Sequence, residues 1–139
     1  MNEAAFSPGF RLSLLDVIFL MAGLIVAVVA GIFVWWAGFI VSFVVLHFFL
    51  FCNVFRIARV SELIWASIFA VLAGATAISG VPGWGITAVG SLMVSAFLIF
   101  RETRKADYHG VFWKKWNPDL PQWWNSQQVE GDSATAPES

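Results

Sequence analysis

Apolar residues fill two long stretches of this chain, and the charged residues gather at their edges. Between Arg11 and Arg56 lie 44 residues without a Lys or Arg, and between Arg59 and Arg101 lie 41. A helix rises about 1.5 Å per residue, so the first stretch alone would measure roughly 66 Å against a hydrocarbon core of ~30 Å. Each stretch therefore predicts two membrane spans joined by a tight reversal. In the second stretch, Gly80-Val81-Pro82-Gly83-Trp84-Gly85 marks the reversal, because proline fixes φ, glycine supplies φ > 0, and neither favours a continuing helix. In the first stretch the expected reversal is Trp35-Trp36-Ala37-Gly38: adjacent indoles suit a headgroup interface and glycine permits a tight bend. The predicted fold is an all-α integral membrane protein. Its four transmembrane helices cover about 13–34, 38–56, 61–79 and 84–101, form two helical hairpins and make one domain of residues 1–101.

Composition agrees with this reading. Of 139 residues, 59% are hydrophobic and 12% charged, against roughly 45–50% and about 25% in a soluble domain. An ordinary water-soluble domain is excluded. The first two spans carry fourteen and thirteen Leu, Ile, Val or Phe residues, whereas the third and fourth carry only seven and eight. The first pair inserts unaided on that count, and the second leans on neighbouring helices and flanking arginines.

Charge informs by placement more than by its sum of −1. Four spans bring Arg11, Arg56, Arg59, Arg101, Arg104, Lys105, Lys114 and Lys115 to one side and leave the two short turns without a cation. This is the positive-inside pattern, and it predicts a cell inner (cytoplasmic) membrane protein with both termini cytoplasmic and the turns outside. The first apolar run exceeds the 7–15 residues of a signal-peptide core and has no clear Ala-x-Ala site, so cleavage is not expected.

Small residues suggest how the helices meet. Gly23, Ala27 and Gly31 fall four apart on the first span, as Ala66, Ala70 and Gly74 do on the third. Such stripes let backbones approach in lipid, so the first and third spans are expected to pack together. The second span carries Phe39, Phe43, Phe48, Phe49, Phe51 and Phe55, too many rings for one narrow seam, and some must face lipid or another protein. A faint internal echo, Arg11-Leu12-Ser13 against Arg59-Val60-Ser61, fits two parallel hairpins.

Few polar groups inside the spans are candidates for chemistry. His47 lies nine residues before Arg56, about 13 Å along a helix and so near the midplane. A histidine at that depth is a candidate haem or metal ligand or proton-relay group. Its bland alternative is a buried imidazole bonded to a carbonyl or serine. Asp16 sits roughly 7 Å past Arg11 and is expected to pair with Arg56 or Arg59 and to favour the positive end of its own helix. An acidic residue in the first of four short spans resembles the small multidrug-resistance transporters, which implies a proton- or cation-coupling carboxylate at Asp16. The resemblance covers that position and the overall size, and the one-sided basic pattern departs from it. Asn53 and Arg56 share a helical face and are read, with Asp16 and Arg59, as a polar cluster at the inner surface. Cys52 stands alone, so no Cys-x-x-Cys motif exists and a buried structural thiol is expected. Ser61 is expected to be an N-cap, with Glu62 in the first turn.

Residues 102–124 form a cytoplasmic interfacial segment in which Trp113, Trp116, Trp123 and Trp124 interleave with Lys114 and Lys115. Indole and lysine together suit the inner headgroup layer. Pro118 and Pro121 predict a short helical turn followed by extended chain. A second use of the segment is docking on a partner's cytoplasmic face. Asp107 and His109 make one Asp-x-His pair, a weak metal signal. Residues 125–139 are polar and acidic and are expected to be disordered.

No Walker loop, dinucleotide-binding glycine run, metalloprotease motif or nucleophile elbow occurs, and nothing points to nucleic acid. The function expected is that of a non-catalytic accessory or scaffold subunit of a membrane complex. The alternatives are a small proton-coupled transporter using Asp16 and His47, or a haem-binding subunit through His47. The bilayer is the expected partner in every version, with a homo-oligomer or a larger membrane complex as further candidates. No cofactor is expected outside the haem alternative.

Overall fold

The computed structural model describes residues 6–135, and among these it is built of helices with no strand. Helix α1 covers Leu14–Phe33 and α2 covers Trp35–Phe49, which continues through a wide π turn, Leu50–Val54. Then come α3 (Arg59–Ser79), α4 (Trp84–Thr103), a four-residue α5 (Trp113–Trp116) and α6 (Leu120–Thr135). Among the described residues, α1, α2 with its π turn, α3 and α4 are long and apolar enough to cross a membrane.

A capping box starts α1: the Ser13 hydroxyl accepts from the Asp16 N–H at 3.2 Å, and the Asp16 carboxylate accepts from the Ser13 N–H at 2.8 Å. Two of the helix's orphan donors are thereby satisfied reciprocally. The reversal after α1 falls earlier than expected, on the single extended residue Val34. Gly38 is not the bend. It lies within α2, where a Cβ would stand 2.6 Å from Gly31 Cα and 2.7 Å from the Ala27 carbonyl oxygen. Glycine is required there because two helix backbones touch.

That contact corrects the expected pairing of the first and third spans. A one-residue link lays α1 directly along α2, so Gly23 faces Val45, Gly31 faces Gly38, and buried Ala27 lies between them. The stripe on α3 is not covered by α1. Ala66, Ala70 and Gly74 instead line an apolar groove of about 400 Å³ whose other wall is Trp36, Ile40 and Val44.

Helices α3 and α4 are joined by polar contacts that run in opposite order along the two helices. Ser61 donates to Glu102 at 2.6 Å, the Trp65 indole donates to the Ser91 carbonyl at 3.2 Å, and Thr76 and Thr87 share a bond of 2.9 Å. Ser61 is therefore not the cap of α3, which begins after Ala58; its hydroxyl is used across the helix pair. Gly80, at φ 75°, closes α3 in the left-handed conformation, and Gly83, at φ 98°, precedes α4, as the Gly/Pro signal requires.

The core sits where α2, α3 and α4 meet. Phe51, Trp65, Phe69, Ala73 and Leu98 are buried together, with Phe43 packed against them. The rings of the second span divide accordingly: Phe43 and Phe51 point inward, while Phe48 is exposed beside Phe19. At the end holding the short turns, Trp84 stacks on Trp36 with centroids 5.8 Å apart and takes Trp35 and Phe39 edge-on.

The chain after α4 departs from its expected form. Where an extended stretch was expected after Pro118, α6 runs from Leu120 to Thr135. Pro121 lies in its first turn, where the missing N–H is an orphan in any case. Gln127, Gln128 and Glu130 then continue as good helix formers. Of the segment expected to be disordered, residues 136–139 lie outside the described ones.

Candidate functional site

Two places gather the sequence's candidate groups. The first is His47, 6% exposed, between the aromatic rings of α2 and α3. Its ring stacks on Trp65 with centroids 4.4 Å apart and an interplanar angle of 12°. Phe43 lies 4.3 Å away on the same helix, and Phe51 meets the imidazole edge-on at 5.9 Å. Nδ1 is 2.8 Å from the Phe43 carbonyl oxygen. A carbonyl only accepts, so Nδ1 carries the proton and Nε2 holds a lone pair. That Nε2 is buried and has no hydrogen-bond partner. Of the two readings of His47, the carbonyl-bonded buried imidazole describes its Nδ1, and the lone pair of Nε2 is the chemically available atom.

The second place is the end of the molecule that carries the cations. Three segments bearing all eight Lys and Arg residues are hydrogen-bonded to one another there. The Gly9 N–H donates to the His109 carbonyl at 2.7 Å, the Val111 N–H to the Val54 carbonyl at 2.9 Å, and the Arg11 N–H to the Asn53 carbonyl at 3.3 Å. The π turn makes this possible, because widening the helix after Phe49 turns the carbonyls of Asn53 and Val54 toward other segments. Arg56 adopts φ 48°, a left-handed conformation uncommon outside glycine, and its guanidinium donates to the Ser7 carbonyl at 2.8 Å.

Asp16 and Asn53 are brought together. Oriented with its nitrogen toward the two acceptors beside it, the Asn53 amide donates to Asp16 Oδ2 and to the Arg11 carbonyl, both at 3.0 Å. Arg56 does not join them. It binds Ser7, and among the described residues the one ion pair is Lys105 with Glu102 at 2.8 Å. Arg59 opens α3 and is exposed. The expected pairing of Asp16 with either arginine is replaced by its capping bonds and Asn53. Burial, and then the Arg11 guanidinium, pull Arg56 below the ordinary arginine range.

The residues expected to be interfacial are partly folded onto this end. Trp113 and Trp124 both contact Phe6, with centroids 5.9 and 5.6 Å away, while Trp116 packs against Tyr108 and Phe112. Trp123 is half-buried, and Lys114 and Lys115 are exposed. Asn117 ties the segment together by donating to the carbonyls of Ala106 and Tyr108. Cys52, expected to be buried, is exposed in the π turn. His109 Nδ1 bonds the Asp107 carbonyl at 2.7 Å. Among the described residues no three His, Cys, Asp or Glu side chains group as a metal would require.

Three residues that sequence reasoning missed organise this end. Glu102 is 6% exposed and takes both the Ser61 hydroxyl and the Lys105 ammonium on Oε1. Its signal was the spacing of Thr87, Ser91, Ser95, Leu98 and Glu102, one buried face of α4. Tyr108 is 4% exposed, its hydroxyl donates to the Val111 carbonyl at 2.9 Å, and burial pushes its phenol up to about 12. Gly110 rests on Phe55, whose carbonyl a Cβ there would strike. Nothing in the linear pattern marked these last two.

Comparison with known proteins gives no family model, no curated relative and no solved structure that matches this chain.

Proposed function

We propose that the chain is an inner-membrane protein of two helical hairpins, with both termini cytoplasmic, serving as a non-catalytic accessory or scaffold subunit of a membrane complex. One observation carries this reading: Ser61, Trp65 and Thr76 of α3 are bonded to Glu102, Ser91 and Thr87 of α4, while large apolar faces stay uncovered. Leu14, Leu15, Ile32 and Phe33 on α1 are 75–82% exposed, and the groove between α2 and α3 is open. Lipid satisfies part of such a surface, and a second protein the rest. The grouping of the cations at one end supports the orientation. Purification from the native membrane in mild detergent is expected to bring down a stoichiometric partner, with a second copy of this chain as the homo-oligomeric variant. A monodisperse particle holding one copy and no partner overturns the reading.

The unpartnered Nε2 of His47 favours a second reading, a haem ligand or proton carrier at that position. Asp16 sits apart from it in the Asn53 network, with no bond linking the two groups among the described residues. A Soret band after haem-replete expression, lost in His47→Phe, supports the ligand version. Transport into vesicles that fails in both His47→Gln and Asp16→Asn supports the carrier version.

A further inference from the structure

We propose that the cleft between the basic end of α4 and α5 binds one anionic phospholipid. The cleft has a volume of about 790 Å³, within the ~300–1,000 Å³ of small-molecule sites. Its floor is Ala96, Ile99 and Phe100, and its rim carries Arg104, Lys115 and Trp116. Apolar floor and cationic rim are the two halves of a lipid: methylenes below, phosphodiester above. No carboxylate lines the rim. The nearest acid along α4, Glu102, is buried and already holds Ser61 and Lys105. Neither Arg104 nor Lys115 belongs to an ion pair among the described residues. The Arg104 guanidinium lies 4.4 Å from the centroid of Phe100, so cation–π attraction holds it over the floor while its N–H groups stay free for phosphate oxygens.

Below the cleft the surface of α4 stays apolar, with Phe97 64% and Met93 69% exposed. Acyl chains have a continuous track there. A free phosphate has no use for that track, and a basic pocket beside membrane helices on the cytoplasmic side is a known mode of headgroup recognition. The inference rests on the membrane reading above.

The test uses the full chain in neutral detergent, with native mass spectrometry to count retained lipid. Phosphatidylglycerol, phosphatidylcholine of the same acyl chains, and inorganic phosphate are offered separately. The wild type is expected to retain one phosphatidylglycerol in preference to phosphatidylcholine. Each rim cation is worth about fivefold in affinity, so Arg104→Gln with Lys115→Gln is expected to weaken retention about 25-fold. Arg101→Gln with Lys114→Gln removes the same charge outside the cleft and is expected to change retention less than about threefold. Ala96→Trp fills the floor, leaves both cations in place, and is expected to abolish retention. Equal losses in the two double variants, equal retention of both lipids, displacement by equimolar phosphate, or full retention in Ala96→Trp overturns the site. Carbonate extraction separates the two levels: release of the chain from membranes sinks the membrane reading and this site with it, whereas an integrated chain without lipid preference sinks this site alone.

Discussion

Gly38→Ala is the most direct probe of how α1 and α2 are held. The added carbon would arrive 2.6 Å from Gly31 Cα, 2.7 Å from the Ala27 oxygen and 2.9 Å from Gly31 N. Carbon contacts are most favourable at about 3.5–4.0 Å, so the helices must part by about 1 Å. All three neighbours are backbone, and no rotamer change relieves them. Parting by that distance forfeits roughly a quarter to a half of each dispersion contact along the seam. Overpacking of this kind costs about 1–3 kcal/mol, and the better helix propensity of alanine returns about 1 kcal/mol. Because all three contacts are with backbone, the upper end of that cost applies, and the net expectation is destabilisation by about 2 kcal/mol. Gly74→Ala is the matched control, because a Cβ there meets nothing within 4 Å, and it is expected to be neutral or stabilising by up to about 1 kcal/mol. Gly23→Ala falls between them, since the atoms it meets belong to the rotatable side chain of Val45. SDS titration in mixed micelles, followed by circular dichroism, ranks the three variants. If Gly38→Ala unfolds at the wild-type midpoint or above it, the glycine contact does not hold the helices.

Tyr108 is the single tyrosine of the chain, so tyrosinate absorbance reads it alone. Its folded titration is expected near 12, against about 10 in the unfolded chain. The sign follows: the native state keeps the proton that the unfolded state loses, so this contribution is whole below pH ~10 and is lost as pH rises toward ~12. A native midpoint near 10 refutes the burial of the ring. Ser61→Ala removes the hydroxyl bonded to buried Glu102 and is expected to cost about 1.5–3 kcal/mol in the same SDS titration; a loss below about 0.5 kcal/mol contradicts the α3–α4 bond. Gly110→Ala drives a methyl into the Phe55 carbonyl and is expected to speed proteolysis between α4 and α5 while leaving α1–α4 intact. Unchanged cleavage argues that this segment is not seated on the π turn.

The four apolar helices were legible because hydrocarbon thickness and helix rise leave little freedom once the cations are located. The Gly80–Gly83 turn was legible because its residues are demanded locally by backbone angles. Helix pairing was not. Small-residue spacing on α1 signalled a close approach but carried no name for the partner, and the one-residue link at Val34 decided it. Gly38 was misread as a bend because glycine serves turns and close contacts alike. Within the candidate site, the proximity of Asp16 and Asn53 followed from their depth along two helices. The burial of Glu102 and Tyr108 did not, because it depends on how the chain after α4 folds back over the π turn. The helix after Leu120 was missed through the prolines, whose effect reverses between a first turn and an interior.

The bond between Gly9 and His109, with Phe6 lodged beside Trp124, joins the beginning of the chain to a region that leaves the ribosome late. Ser7 and Arg11 meet their partners Arg56 and Asn53 once α2 and its π turn have been made, but Gly9 and Phe6 wait for His109 and Trp124. Closure of this latch is therefore a late step of biogenesis, and a nascent chain arrested before His109 would leave the segment around Gly9 without its backbone bond and more open to proteolysis.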